Sequence, residues 1–161
     1  MAKDTTRFVL HFLILLAIAS TSIKSQATEQ CDYEMIANTG ITRGPSAYKL
    51  RVILSPIGGG ANLNTTNLVK NWGAMGRGHT YFLPNSSDKF TTKSPCMEDN
   101  FCWIGIKGKK GELNPHWYIE TITVSTKGPG VINRMKTFQF LEEIVTVYPD
   151  ASHGECPKLC N

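Results

Sequence analysis

The residues of this chain best equipped for chemistry are five cysteines, Cys31, Cys96, Cys102, Cys156 and Cys160, with a scatter of histidines and carboxylates. As ligands, His153-Gly154-Glu155-Cys156 and Cys160 would suit a soft metal, because thiolate and imidazole favour zinc-like ions. Asp88, Glu98 and Asp99 offer hard oxygen donors from loop positions, the set that calcium takes. Cys156 beside His79 or His116 would form a thiolate–imidazole pair suited to acyl attack. Each has a plainer alternative. Cysteines in an oxidising compartment pair into disulfides, here with one left over, and loop carboxylates are ordinarily solvated. No G-x-S-x-G elbow, H-E-x-x-H or phosphate loop occurs. The expectation is a chain that binds rather than catalyses, without a cofactor unless calcium is one.

The compartment is read from the start of the chain. Lys3 and Arg7 precede an apolar run from Phe8 to Ala19, and small residues follow at Ala17-Ile18-Ala19 and Ser25-Gln26-Ala27. That is a signal peptide over residues 1–27, with cleavage between 19 and 27. About twelve apolar residues span only ~18 Å as a helix, short of a ~30 Å bilayer core. The leader also carries Lys3, Arg7, Lys24 and Asp4, so it holds much of the net charge of +4. What remains is too weakly basic to argue for nucleic acid. The expected location is secreted or endoplasmic-reticulum lumenal, and the sequons at Asn64 and Asn85 suit that route.

The remaining chain reads as short strands punctuated by glycine and proline, without an amphipathic helix. Tyr48 to Leu54 alternates, and so does Phe101 to Lys107, with Cys102, Ile104 and Ile106 opposite Trp103 and Lys107. Asn67 to Trp72, His79 to Leu83 and Asp88 to Thr92 are shorter candidates. Trp117 to Val124 is the strongest strand, rich in aromatic and β-branched residues. It is stopped by Gly128-Pro129-Gly130, after which Lys136 to Val147 supplies one or two more. Seven or eight short strands in one domain imply an all-β sandwich or barrel over 28–147. Residues 148–161 read as an irregular, cysteine-tethered tail.

Four stretches then carry a family resemblance: Cys31-Asp32-Tyr33 through Thr39-Gly40; Trp72-Gly73-Ala74-Met75-Gly76; Tyr81-Phe82 with Asp88-Lys89-Phe90; and Pro95-Cys96 through Cys102 into Trp117. In order and spacing they resemble the PLAT/LH2 domains of lipoxygenases and lipases, and more closely the plant single-domain PLAT stress proteins. The resemblance implies an antiparallel eight-stranded β-sandwich. It also implies a role in stress response or development through lipid or protein contacts, and calcium binding in some members. It pairs Cys96 with Cys102, and Cys31 with a C-terminal cysteine, most simply Cys160. The chain departs from the pattern in lacking a cysteine near Ile132 or Asn133 and in carrying Leu83-Pro84-Asn85 where the family is acidic.

The binding candidates are Trp72 and Met75, in a glycine-bounded segment, and Trp103, with Lys107, Lys109 and Lys110 beside a turn. Exposed aromatics flanked by lysines suit a lipid or membrane surface, or a hydrophobic protein partner. The alternative from another class is a lectin-like or cell-wall-binding sandwich, with Trp72 or Trp103 stacking on sugar rings. A spare thiol would also allow a disulfide-linked dimer.

Overall fold

A computed structural model describes residues 29–41, 50–97, 99–108, 116–140, 143–145 and 150–156. The leader, Glu98, Lys109, Lys110 and Cys160 lie outside the described residues, as does the side chain of Trp117. Two antiparallel sheets face one another as a sandwich. The first has the order β4-β1-β6-β7, built from β1 (Gln30–Thr39), β4 (Ser87–Pro95), β6 (His116–Gly128) and β7 (Val131–Gln139). Beyond the end of β7, β8 (Glu143–Val145) pairs with the start of β6. The second sheet has the order β3-β2-β5-β9, from β2 (Arg51–Pro56), β3 (Leu63–Thr65), β5 (Phe101–Lys107) and β9 (Asp150–His153).

The all-β sandwich is therefore as expected, but the strand count is not eight. Among the described residues seven strands have four or more residues, and β3 and β8 have only three each. The supposed tail also contributes. Asp150–His153 closes the edge of the second sheet as β9, paired to Ile104–Lys107. Its polar sequence carries no alternation to announce it.

Period-two burial explains the sheets. In β1, Cys31, Tyr33, Met35, Ala37 and Thr39 point inward. Val52 and Leu54 of β2, with Ile104 and Ile106 of β5, face them from the second sheet, and Ile122, Val124, Phe90 and Phe138 complete the core. On the outer face Asp32 and Glu34 pair with Lys93 and Lys89 of β4. Such exposed pairs contribute about 0–1 kcal/mol and set register more than stability. The edge strand β7 carries Arg134 and Lys136 in phase with inward Phe138, with the Lys136 Nζ 5.9 Å from that ring. Charged side chains on an edge strand discourage another strand from adding there.

Two expected strands are not strands. Asn67 is extended at φ −150° and its side chain caps a five-residue helix, α1 (Leu68–Trp72), by accepting from the Lys70 N–H at 3.0 Å. Leu68 and Trp72, four apart, share the buried face, which alternation alone does not distinguish from a short strand. His79–Leu83 is a turn, with Phe82 at φ +60° and Asn85 at +54°.

The disulfides also differ from those the resemblance implied. Cys31 bonds Cys96, and Cys102 bonds Cys156, with Cα–Cα separations of 4.8 and 4.9 Å. Each ties neighbouring strands of one sheet: β1 to the end of β4, and β5 to the residues after β9. A Cys96–Cys102 bond does not form: the antiparallel pairing sets Cys31 opposite Ser94 and the Cys96 N–H donates to the Glu29 carbonyl, so Cys96 meets Cys31, while Cys102 is taken by Cys156. Cys31 is taken by Cys96, which also excludes the Cys31–Cys160 pairing. Gly128 on β6 accommodates the first bridge, since a Cβ there would meet the Cys31 Sγ.

Candidate functional site

The most elaborated end of the sandwich is the one where residues 96–97 and 99–100 lie between the end of β4 in one sheet and the start of β5 in the other. Buried Tyr33 donates from its hydroxyl to the Pro95 carbonyl at 2.9 Å and accepts from the Met97 N–H at 3.0 Å. Arg134 Nη1 donates to the Met97 carbonyl at 3.1 Å, and the Ile57 N–H donates to the Asn100 carbonyl at 2.9 Å. The strap is thus fastened from both sheets. Between it and the β2–β3 loop lies a cavity of about 350 Å³, lined by Pro56, Gly58, Asn62, Ser94, Met97 and Asp99 among others. Asp99 folds its carboxylate over Gly58.

Large apolar side chains stand exposed around this end. Ile57 directly follows β2, and Ile132, 89% exposed, follows the β6–β7 turn two residues before Arg134. Met135 is 68% exposed further along β7. Half-buried Met97 lies between, and Lys127, Arg134 and Lys136 supply positive charge on the same hairpin. Burial raises the Tyr33 hydroxyl pKa above its ordinary value, opposed by the Met97 hydrogen bond and the nearby Arg134 charge. Because the folded state then holds that proton more tightly, this stability is complete below pH ~10 and is lost as pH rises through the higher folded value. Tyr33→Phe should flatten the alkaline decline in urea midpoint and cost about 1–2 kcal/mol at neutral pH through its two lost bonds. An unchanged alkaline slope would contradict this assignment.

The residues singled out from sequence do not converge there. Trp72 is a core residue, 7% exposed, so it can neither insert into lipid nor stack on sugar. Met75 is exposed but lies by Ala74, whose N–H donates to the Lys89 carbonyl toward the far end of β4. Lys107 ends β5, six residues from the strap side. Trp103 faces outward as expected, on the open face of the second sheet, with its indole over Gly105. A Cβ at residue 105 would collide with the ring.

The carboxylates fare no better as an ion site. Asp88 is fully buried and spent on its own loop: Oδ1 lies 2.6 Å from His79 Nε2, and Oδ2 accepts from the Phe82 N–H at 2.7 Å and the Ser86 hydroxyl at 3.2 Å. Asp88 is the second residue of β4 while Asp99 lies beyond its other end, roughly 20 Å away at ~3.3 Å per residue. They cannot share an ion. Among the described residues no three His, Cys, Asp or Glu side chains gather as metal ligands. The residues described here do not fit calcium, nor does the His153–Cys156 segment fit a soft metal once Cys156 is bridged.

Comparison with solved structures places this architecture beside part of several lipoxygenases. The coral 8R-lipoxygenase, described as activated by calcium through a C2-like domain, superposes with a TM-score of 0.55 at 14% identity, over 78% of this chain and 18% of that one. An engineered lipoxygenase gives 0.54 at 14% over 77% and 16%, and a calcium-dependent 11R-lipoxygenase 0.50 at 13% over 77% and 17%. The fold is the PLAT-like sandwich. The chain spans less than a fifth of these lipoxygenases, and at this identity the likeness is one of fold. No family model and no curated protein matches the sequence.

Ile57, Ile132, Met135, Arg134 and Tyr33 escaped the sequence reading. A signal was present for one of them. Met135 is out of phase with Phe138 and so does not fit an alternating strand with one buried face, whereas Ile132 is in phase with Phe138 and reads as buried.

Proposed function

We propose that this chain is a non-catalytic PLAT-like module of the secretory route that docks on lipid through the strap end of its sandwich. The observation that carries the reading is Ile132, 89% exposed beside the strap, with Ile57 exposed across it and cations on the same hairpin. Burying a side chain of that size in an acyl boundary yields ~1.5–3 kcal/mol. Each basic residue near an anionic surface adds about 1 kcal/mol. Two disulfides among the described residues are compatible with an oxidising compartment. The resemblance to plant single-domain PLAT proteins extends the role to stress response or development. The calcium dependence named for two of the lipoxygenases is not carried over, and docking is expected to survive a chelator.

Sedimentation with phosphatidylcholine vesicles, with and without phosphatidylserine, tests this. Ile132→Asp should weaken binding ~10-fold or more, in line with the apolar transfer lost. Exposed as it is, the change should leave folding within ~0.5 kcal/mol. Binding equal to wild type would sink the reading. A carbohydrate-binding reading rests on the Trp103 platform. Retention on insoluble glucan or pectin that Trp103→Ala abolishes, with no vesicle binding, would favour it.

A further inference from the structure

The outer face of the second sheet carries a row of three positions in register: Asn64 on β3, Ile53 on β2 and Gly105 on β5. Leu63 and Thr65 are buried, so Asn64 points outward, and Ile53 does likewise between buried Val52 and Leu54. At the third position the Trp103 indole replaces the missing side chain of Gly105. The row therefore runs from a sequon asparagine, across an aliphatic side chain, to an aromatic face. We propose that Asn64 carries an N-linked glycan whose first two N-acetylglucosamine residues lie along this row, over Ile53 and the Trp103 ring. This rests on the secretory part of the function proposed above.

The reach fits. Neighbouring strands are ~4.8 Å apart, so Ile53 and the indole stand about one and two strand spacings from Asn64, and each sugar of the pair covers roughly one spacing. The amide is available: its Nδ2 makes only an exposed contact to the Asn62 carbonyl at 3.4 Å. Thr66, the hydroxyl residue of the sequon, is exposed, while Thr65 is engaged internally through Asn71 and Asn67. In the transfer, Asn64 Nδ2 bonds to the sugar C1 and loses a proton. The C1–O bond of the lipid-linked donor breaks, and its polyprenyl diphosphate leaves. The apolar face of the sugar ring then covers indole and isoleucine surface that water would otherwise meet. A Trp103 platform of this kind is occupied by the chain's own sugar rather than by a cell-wall polymer.

The experiment uses the full chain expressed in a eukaryotic secretory host, with Asn85 as an internal comparison. Mass mapping after amidase removal of N-glycans should find Asn64 converted to aspartate. Removal should lower the melting temperature by ~3–5 °C in the wild type and by clearly less in Trp103→Ala, which keeps only the Ile53 contact. Trimming to a single sugar should give an intermediate loss. Acrylamide quenching of tryptophan in the wild type should rise on removal, which decides the matter if the variant does not fold. Secreted protein with Asn64 bare, an equal shift in both backgrounds, or unchanged quenching would overturn the proposal. Retention in the cytosol with both asparagines bare would instead overturn the secretory reading beneath it.

Discussion

Cys31→Ser and Cys96→Ser should destabilise this protein equally, each by ~4 kcal/mol, and the double variant should be no worse than either. The Cys31–Cys96 bridge closes a separation of 65 residues and Cys102–Cys156 one of 54. Loop-closure entropy grows only with the logarithm of length, giving ~4.3 and ~4.2 kcal/mol, so neither bridge dominates. Against a typical total of ~5–15 kcal/mol, losing either removes a large share of the fold's stability. Urea midpoints of the four single serine variants, the two within-bridge doubles and the Cys96→Ser/Cys102→Ser double measure this. Were Cys96→Ser instead to act as a unit with Cys102→Ser, independently of Cys31→Ser, the connectivity would be wrong.

The second large effect is expected at Asp88. Its side chain is fully buried, and its oxygens hold the Phe82 N–H, the Ser86 hydroxyl and His79. These contacts fix a loop that carries two left-handed residues, Phe82 and Asn85, with no glycine to ease either. Asp88→Ala removes the carboxylate that accepts from the Phe82 N–H and the Ser86 hydroxyl inside the protein and should cost ~3–4 kcal/mol, or a fall of roughly 10 °C or more in Tm. Asp88→Asn keeps an acceptor for Phe82 and should lose clearly less. His79→Ala should cost less again, since the imidazole is 27% exposed. If Asp88→Ala were as stable as wild type, the carboxylate would not be the anchor of this loop.

Much of the fold was legible because its physics is local. Cys31 through Ile36 and Phe101 through Lys107 alternate, Trp117 through Val124 is rich in aromatic and β-branched residues, and all three became strands of the two sheets. The centrality of β6, between β1 and β7, follows from its β-branched composition. What was illegible depends on which distant strands become neighbours. Cys96 and Cys102 look like partners in sequence only because the chain gives no sign that it changes sheets between them. Asn67–Trp72 looks like a strand until the Asn67 cap is seen. The candidate site was least legible. Tryptophans and lysines attract attention by type, yet Trp72 fills the core and Lys107 sits at the far end of β5. The exposed Ile57 and Ile132 share one end because β2 finishes and β7 begins there, beside Asn100 and Met97 of the strap.

The strap end is the proposed lipid-docking surface, and hydrogen exchange on phosphatidylserine-containing vesicles reads it directly. Bound protein should gain amide protection at 57–62, 99–100 and 129–134, with 51–55 and 103–107 unchanged. Protection confined to 51–55 and 103–107, or no protection anywhere in the chain, would contradict it.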